Sequence, residues 1–295
     1  MLLISNNVLL SVAVFTILLG TLYPLIIDVL GLGKLSVGAP YFNQVFTPLA
    51  FLILFFMGIS YLLNGSQADK IRHLKKSVCV MVAAISVSML LLLLLTPALQ
   101  WKVMIGLTLT LWIILNTLQM LWREKQKKMT LQKIFQTRGA MLLAHLGVAV
   151  SAIGIILSSA YSLQRDVRMR VGDTVPLGMY QFKLTHVDAL RGPNYTGAEA
   201  TLQLLNTSVS VPDLKSQLRY YPVSDIALSK PAINMGLWRD LYVALAEPVS
   251  PNAWAFRFYV KPFMLWIWMG GILMVAGGLC AILQTKRRER LRQIN

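Results

Sequence analysis

Six stretches of this 295-residue chain are apolar, nearly uncharged and long enough to cross a lipid bilayer. A helix needs about 20 residues for this, because each residue advances it by about 1.5 Å. In lipid the backbone groups must also be hydrogen-bonded within the chain, and a helix satisfies this internally. The sequence therefore predicts a polytopic α-helical membrane protein with about six transmembrane helices. We place them at Val8–Leu30, Val45–Leu63, Val78–Leu95, Val103–Trp122, Gly139–Ser159 and Pro262–Leu283.

The first of these stretches follows the segment MLLISNN, which carries no positive charge. A cleaved signal peptide has a positively charged start and a shorter apolar core. We therefore expect the first stretch to remain in the protein as a helix.

The basic residues are distributed unevenly, although the net charge of +16 alone would suggest nucleic acid. Of the 28 Lys and Arg residues, four lie in ADKIRHLKK, six between Arg123 and Arg138, and five in TKRRERLR. These three segments alternate with the spans, so all of them lie on one side of the membrane. By the positive-inside rule they and both termini are cytoplasmic, and residues 160–261 lie outside. We interpret the basic runs as topology signals and contacts for membrane lipids, with no nucleic acid as partner.

The two cysteines, Cys79 and Cys280, both fall within predicted spans, and the sequence contains no CxxC motif. Neither a disulfide framework nor a dithiol redox centre is therefore indicated. We interpret both as small residues of the helix-packing core.

Residues 160–261 form the long segment between the fifth and sixth spans. Alternation in VRMRV, YQFKLTHV and ATLQLL, with turn signals at VGDTVP and RGPNYTG, predicts short antiparallel strands in a β-rich sandwich or barrel. The segment PAINMGLWRDLYVALAE fits a strand or a helix, and NAWAFRFYVKP predicts a strand leading into the last span. We therefore expect three parts: a five-helix transmembrane region (1–159), a periplasmic β-rich domain (160–261), and a final helix with a basic cytoplasmic tail (262–295).

The last span carries aromatic and glycine patterns that helix packing and the membrane interface explain. Trp266 and Trp268 fit the interfacial belt, where amphipathic rings are favoured, with stacking on a ligand as the alternative. Two glycine pairs are spaced seven residues apart, so each pair shares one helix face and allows a neighbouring backbone to approach. These pairs are Gly270 with Gly277 and Gly271 with Gly278.

One of the three histidines, His145, lies inside a predicted span. His73 falls in a basic loop and is expected to be solvated, and His186 falls on a predicted strand as a structural or surface residue. Polar residues in lipid are costly and need a partner. At 100° per residue, Ala149 and Ala152 share the face of His145 and leave room for a flat group. The residues are compatible with an axial haem ligand, with an interhelical hydrogen bond, or with a proton relay.

Several segments of the chain together resemble one known family in their order and spacing. They are LGTLYPL, LSVGAPYFN, AHLGVAV, YSLQRDVRMRVGDTV, GPNYTG, RDLYVAL and WAFRFYVKPFMLWIWMGG. The chain resembles the C-terminal half of the cytochrome c haem lyase family, which comprises CcmF and the nitrite-reductase-pathway relative NrfE. The segment LGLGKLSVGAPYFNQ is similar to the NrfE branch in particular.

This resemblance implies a role in attaching haem covalently to apocytochrome c. In the family, a haem b lies in the helix bundle between two histidines, one of which maps onto His145. The bundle haem keeps the iron of a second, delivered haem reduced, and the lyase joins the vinyl groups of that haem to cysteine thiols. The implied partners are the haem chaperone CcmE, CcmH or NrfF/NrfG-like subunits, and the apocytochrome. The implied location is the bacterial inner membrane.

The family's tryptophan-rich WWD motif and its other haem histidines belong to an N-terminal half that this sequence does not match. We therefore expect haem lyase activity only together with a WWD-containing N-terminal half. Alternatives are a non-catalytic scaffold subunit of the cytochrome c maturation complex, an inactive truncated remnant, and a small-molecule or haem permease. A permease would call for paired broken helices and charged residues at the membrane midplane, and the sequence has none.

Overall fold

All six apolar stretches are helical in the computed structural model of the chain, which describes residues 2–60, 67–95, 100–206 and 212–294. Each helix contains a segment long and apolar enough to cross a membrane, which confirms the six predicted spans. The helices are α1 (Leu2–Val29), α2 (Ala39–Ser60), α3 (Gln67–Leu95), α4 (Trp101–Gln126), α5 (Leu131–Tyr161) and α6 (Met264–Ile294).

Two of the basic segments continue the helices instead of forming loops. Helix α3 begins at Gln67, so His73 lies on a helix and the loop prediction for this residue was wrong. Helix α6 likewise runs through the basic tail to Ile294. Lys, Arg and Gln are good helix formers, so the helix continues beyond its apolar segment into the basic residues.

The chain forms two units, the first comprising Met1–Ile153 with Met269–Asn295 and the second Gly154–Trp268. In the first unit, α4 is the central helix, with 61% of its apolar segment buried against 11–28% for the others. Trp112 and Ile113 of α4 pack against Leu54 of α2, Ala84 of α3 and Val148 of α5. The outer helices expose apolar side chains, as helices surrounded by lipid do.

Helices α5 and α6 approach each other through glycine. A Cβ atom on Gly147 would lie 2.7 Å from the carbonyl oxygen of Gly270, and one on Gly277 would lie 2.8 Å from the amide nitrogen of Ala144. The packing role is therefore confirmed for Gly270 and Gly277. It was wrong for Gly271 and Gly278, because no described atom lies within 4 Å of where their Cβ atoms would be.

The second unit is built around a β-sandwich, whose described residues form nine strands, β1 to β9. They form two antiparallel sheets, ordered β1-β9-β8-β7 and β2-β3-β4-β5-β6. The ambiguous segment PAINMGLWRDLYVALAE is strand, and NAWAFRFYVKP is strand as predicted. The strands are Leu163–Met169, Thr174–Leu177, Tyr180–Arg191, Thr196–Leu205, Leu214–Tyr221, Ile226–Lys230, Ala232–Asn234, Arg239–Ser250 and Ala253–Pro262.

The core of the sandwich lies between the two sheets. Alternate residues of the strands point inwards, as a period of two requires, and Phe182 of β3 meets Phe258 of β9 with ring centroids 4.9 Å apart. Leu184, Leu202 and Leu241 are fully buried beside them. The predicted β-rich domain is therefore a sandwich with a single apolar core.

Strand β8 extends beyond its neighbour β7, because the pairing of the two strands ends at Val243. Two serines of the opposite sheet satisfy the backbone of Leu245 instead. Its N–H donates to Ser216 Oγ at 2.9 Å, and its carbonyl oxygen accepts from Ser229 Oγ at 2.7 Å. These side chains tie the two sheets together at this edge, because buried backbone polar groups must be paired.

A single residue, Phe263, connects β9 to α6. Its φ of 56° lies in the left-handed region, which a bulky residue adopts only where its surroundings hold it. Its N–H donates to the Trp238 carbonyl oxygen at 2.9 Å, and its carbonyl oxygen accepts from the Trp266 N–H at 3.1 Å. Its ring packs edge-on against both tryptophan rings.

Candidate functional site

The imidazole of His145 lines a small cavity inside the helical unit. Helices α2, α4 and α5 supply its walls, and the cavity measures about 10 Å³, which is room for about one water molecule. The lining residues are Met57, Gly58, Ile113, Asn116, Thr117, Met141 and His145.

Helix α2 reaches this position because Gly58 has no side chain. A Cβ atom on Gly58 would collide with the ring of Trp112, which is itself only 4% exposed. The Trp112 ring also lies beside Phe55 of α2, with centroids 5.9 Å apart. Glycine against a large ring thus sets how closely α2 and α4 approach beside His145.

A buried polar cluster of Ser77, Trp112 and Asn116 joins α3 to α4, and its member Asn116 also lines the cavity. Trp112 Nε1 donates to both Ser77 Oγ and the Ser77 carbonyl oxygen at 3.2 Å. Asn116 Nδ2 donates to Ser77 Oγ at 3.5 Å, and Asn116 Oδ1 is buried without a partner among the described residues. Thr117, by contrast, donates its hydroxyl to the Ile113 carbonyl oxygen of its own helix at 2.8 Å.

Sequence reasoning missed this cluster. Asn116 was visible as an amide within the apolar run LWIILNTLQM, but its spacing alone did not indicate that it and His145 line one cavity. That juxtaposition depends on how α4 and α5 are rotated about their axes. Ser77 sits at the very start of a span and carried no signal.

His145 itself is half-buried, and its ring makes no hydrogen bond to the residues that the structure describes. The neighbouring small residues do not leave a large space. Ala149 is fully buried, and Ala152 packs against the cluster around Trp112. Among the described residues, the cavity that the ring lines measures about 10 Å³, which is too small for a flat group such as a porphyrin.

These residues fit a haem in donor chemistry but not in volume. A neutral imidazole is a common axial ligand for haem iron, because one ring nitrogen offers a lone pair while the other keeps its hydrogen. A cavity for about one water molecule cannot enclose a porphyrin. A haem at this position would therefore need its enclosure from further protein or from separated helices.

The other candidate residues lie elsewhere in the chain. His186 is exposed on β3 at a bulge, with its Nε2 3.8 Å from Asp188 Oδ2. The side chain of His73 lies outside the described residues. Within the described ranges no three His, Cys, Asp or Glu side chains form a metal-binding group. Cys79 is exposed on α3, so its assignment to the packing core was wrong, whereas Cys280 is half-buried on α6.

An aromatic cluster marks the start of α6. Trp266 donates its indole N–H to the Leu237 carbonyl oxygen at 3.0 Å, and its ring lies 5.7 Å from that of Trp238. Trp238 is 61% exposed, and Trp268 on α6 is 71% exposed. This arrangement suits a membrane interface, where tryptophan rings are half in lipid and half in water.

Comparisons with known proteins match both parts of this architecture. Residues 160–262 match the family model for the CcmF C-terminal beta-sandwich. A solved structure described as cytochrome c heme lyase CcmF superimposes with a TM-score of 0.72 at 22% identity, over 95% of this chain and 45% of that one. At this identity the superposition shows a shared fold.

Curated relatives extend the match to almost the whole chain. The cytochrome c-type biogenesis protein CcmF of Pseudomonas aeruginosa is 38% identical over 99% of this chain and 45% of its own length. CcmF of Escherichia coli is 36% identical over 98% of this chain and 44% of its own. NrfE of Haemophilus influenzae is 29% identical over 96% of this chain and 44% of its own.

Over its whole length the chain is more similar to these two CcmF proteins than to this NrfE, and the similarity of the segment LGLGKLSVGAPYFNQ to the NrfE branch stays a prediction. The chain spans less than half the length of the curated relatives it matches. Its six helices and its sandwich correspond to the C-terminal half of the CcmF and NrfE family of cytochrome c-type biogenesis proteins.

Proposed function

We propose that this chain forms the C-terminal part of a haem lyase that attaches haem to apocytochrome c, and that His145 is one axial ligand of a haem b in the membrane. The observation that carries this proposal is the imidazole of His145. It lies on a membrane-spanning helix and makes no hydrogen bond to the described residues. Polar groups in this position generally serve a function.

His145 would hold the iron through one ring nitrogen from α5, and helix packing would fix the direction of approach. Gly147, two residues further on, holds α5 against α6 and so limits rotation of the helix that carries the ligand. When bound, the haem would supply one-electron transfer. The contribution of this chain would be to position that group and to keep water away from it.

If haem binds at His145, the small volume beside the ring requires a site shared with further protein. Because the cavity holds about one water molecule, we infer that the second ligand and the haem enclosure come from the family's N-terminal half, which carries the WWD motif. The relatives are more than twice as long as the matched region, which is compatible with this division. The proposed partners are the haem chaperone CcmE, CcmH or NrfF/NrfG-like subunits, and apocytochrome c.

We further propose that the chain lies in the bacterial inner membrane with both termini in the cytoplasm, on the strength of its three basic segments. The sandwich would then be periplasmic, between a five-helix region (1–159) and the final helix with its tail (262–295). In that position it would help to dock the apocytochrome or its delivery proteins. Unchanged cytochrome c assembly after replacement of the sandwich by a short linker would contradict this role.

The ligand proposal can be tested by haem content. The chain is co-expressed with an N-terminal half that carries the WWD motif, and the purified complex is assayed as a pyridine haemochrome. We expect His145→Ala to lose the haem b, because no second described imidazole lies on a span. The matched control is His186→Ala, which removes an exposed histidine of the sandwich and should leave haem b unchanged. Undiminished haem b in His145→Ala would refute the assignment.

A non-catalytic scaffold is the second candidate, and the small cavity favours it. A chain whose helices close around His145 could hold maturation proteins together without any haem. A purified complex that lacks Soret absorbance and still retains its partners would support the scaffold. A stoichiometric haem b signal that depends on His145 would exclude it.

A further inference from the structure

Asn116 is an unusual residue for the middle of a membrane-spanning helix. Its side chain is 2% exposed, and its amide oxygen has no hydrogen-bond partner among the described residues. A buried acceptor left unpaired is costly, so such an atom commonly marks the position of an ordered water molecule. The cavity that Asn116 lines has room for about one.

The other lining side chains leave few partners for that water. Thr117 already donates its hydroxyl within α4, and Ile113 is apolar. The imidazole of His145 makes no hydrogen bond to the described residues. The amide of Asn116 and the imidazole of His145 therefore line one small space, each with hydrogen-bonding capacity in reserve.

The amide of Asn116 is held in place from the opposite side. Its Nδ2 donates to Ser77 Oγ, and the same oxygen accepts from Trp112 Nε1 at 3.2 Å. This contact turns the nitrogen end of the amide towards α3, which leaves the oxygen end as the free acceptor. At 3.5 Å this hydrogen bond is long, so it favours this orientation of the amide without locking it.

We propose that one water molecule in this cavity connects Asn116 to His145, and that Asn116 thereby acts as a positioning residue for the His145 ring. The water donates to Asn116 Oδ1 and accepts from the protonated ring nitrogen of His145. A neutral imidazole carries its hydrogen on one nitrogen and a lone pair on the other. The bond to water therefore selects the nitrogen that keeps the hydrogen and leaves the other nitrogen free to bind a metal.

This inference goes beyond the proposed ligand role and does not require haem. The imidazole tautomer can be measured in the chain without any cofactor. Failure of the positioning role of Asn116 can therefore be distinguished from failure of the haem assignment. A haem-binding His145 with no dependence on Asn116 would retain the ligand role and refute the positioning role.

The test is nitrogen NMR of the full chain in lipid nanodiscs, with ¹⁵N in the imidazole rings only. The three histidines give few signals, and those of His145 are identified by their loss in His145→Gln. We expect wild type to show one neutral tautomer, with separate protonated and unprotonated nitrogen signals. Asn116→Leu, which is of similar size and has no polar atom, should replace this pattern with averaged signals or with the other tautomer.

Two matched variants decide whether the effect is specific. Thr117→Val removes a hydroxyl from the same cavity wall that is already bonded within α4, so it should leave the His145 signals unchanged. Asn116→Asp keeps an acceptor oxygen for the water, so it should retain the wild-type tautomer when measured at a pH at which the ring is neutral. Unchanged signals in Asn116→Leu, or equal changes in Thr117→Val, would overturn the proposal.

A second measurement covers the case in which Asn116→Leu does not fold. In the wild-type chain, magnetisation transfer from a bound water to the His145 ring should be detectable, because the proposed water contacts the ring directly. Absence of that transfer from a folded wild-type chain would overturn the proposal as well.

Discussion

Arg257 on β9 binds Asp166 on β1 through two parallel hydrogen bonds. The Nε to Oδ1 and Nη2 to Oδ2 distances are both 2.9 Å, and the two residues lie directly opposite each other in the strand register. The hydrogen bonds from Arg257 lower the pKa of Asp166 below its ordinary value. Because β1 is an edge strand next to the end of α5, this pair closes the start of the sandwich.

The first prediction concerns acid stability. A lowered pKa in the folded state means that the pair stabilises the sandwich above the ordinary Asp pKa of about 4. This contribution is lost as the pH falls from there through the folded-state pKa. We expect Asp166→Asn to lower the thermal unfolding midpoint slightly at pH 7 and to leave it unchanged near pH 2. Both side chains are about half exposed, so the effect should also shrink at high salt.

Glu247→Gln is the control for that measurement, because it neutralises an exposed carboxylate on β8. Its midpoint should follow the wild-type pH profile. A wild-type profile in Asp166→Asn would show that the bidentate pair contributes nothing to the stability of the sandwich.

The second prediction concerns the edge at Leu245. Ser216→Ala leaves the buried Leu245 N–H without its acceptor, and we expect it to destabilise the sandwich by about 1–3 kcal/mol. Ser229→Ala removes a donor to the carbonyl oxygen of Leu245. Ser229 is exposed, so a water molecule can take the place of its hydroxyl. The cost of this substitution should be smaller. Denaturant unfolding measures both, and a larger loss in Ser229→Ala would contradict the prediction.

The third prediction compares two adjacent glycines of α6. Gly270→Ala places a methyl group against the backbone of Gly147 and Ser151, and we expect it to destabilise the helical unit by about 1–3 kcal/mol. Gly271→Ala points into open space, and its better helix propensity should leave stability unchanged or slightly raised. Thermal unfolding in detergent distinguishes them. Equal midpoints for the two variants would mean that α5 and α6 do not pack through Gly270.

The fourth prediction concerns orientation in the membrane. In a background with Cys79→Ala and Cys280→Ala, Val223→Cys places a fully exposed thiol on the sandwich and Gln126→Cys places one at the end of α4. If the basic segments are cytoplasmic, an impermeant maleimide should label position 223 in spheroplasts and position 126 only after lysis. The reverse pattern would contradict the proposed topology.

The sequence was most informative where one physical requirement acts along the chain. Apolar length predicted all six spans, because a bilayer accepts no shorter alternative. Alternation predicted strands such as the one in NAWAFRFYVKP, since one face of that strand had to enter a core. The segment around Trp238 remained ambiguous because its apolar residues fit both the helical period of 3.6 residues and the strand period of two.

The sequence was least informative where two helices meet. Gly270 and Gly271 each have a second glycine seven residues further on, yet only Gly270 faces α5. The rotation of α6 about its axis is set by the whole helix interface, which this spacing does not reveal. The cavity between Asn116 and His145 depends likewise on the rotation of α4 and α5. The space expected beside Ala149 is filled by packed protein among the described residues. Small residues allow close approach by a neighbouring helix just as they leave room for a ligand, and the sequence does not distinguish the two.

The single-residue connection at Phe263 has a consequence for how this chain can change over time. Each residue of a helix turns the next by about 100°, so one added or removed residue ahead of Gly270 would exchange the packed and open faces of α6. With β9 ending at Pro262 and α6 beginning at Met264, there is no loop in which such a change could be absorbed. We expect this stretch to tolerate hardly any insertion or deletion.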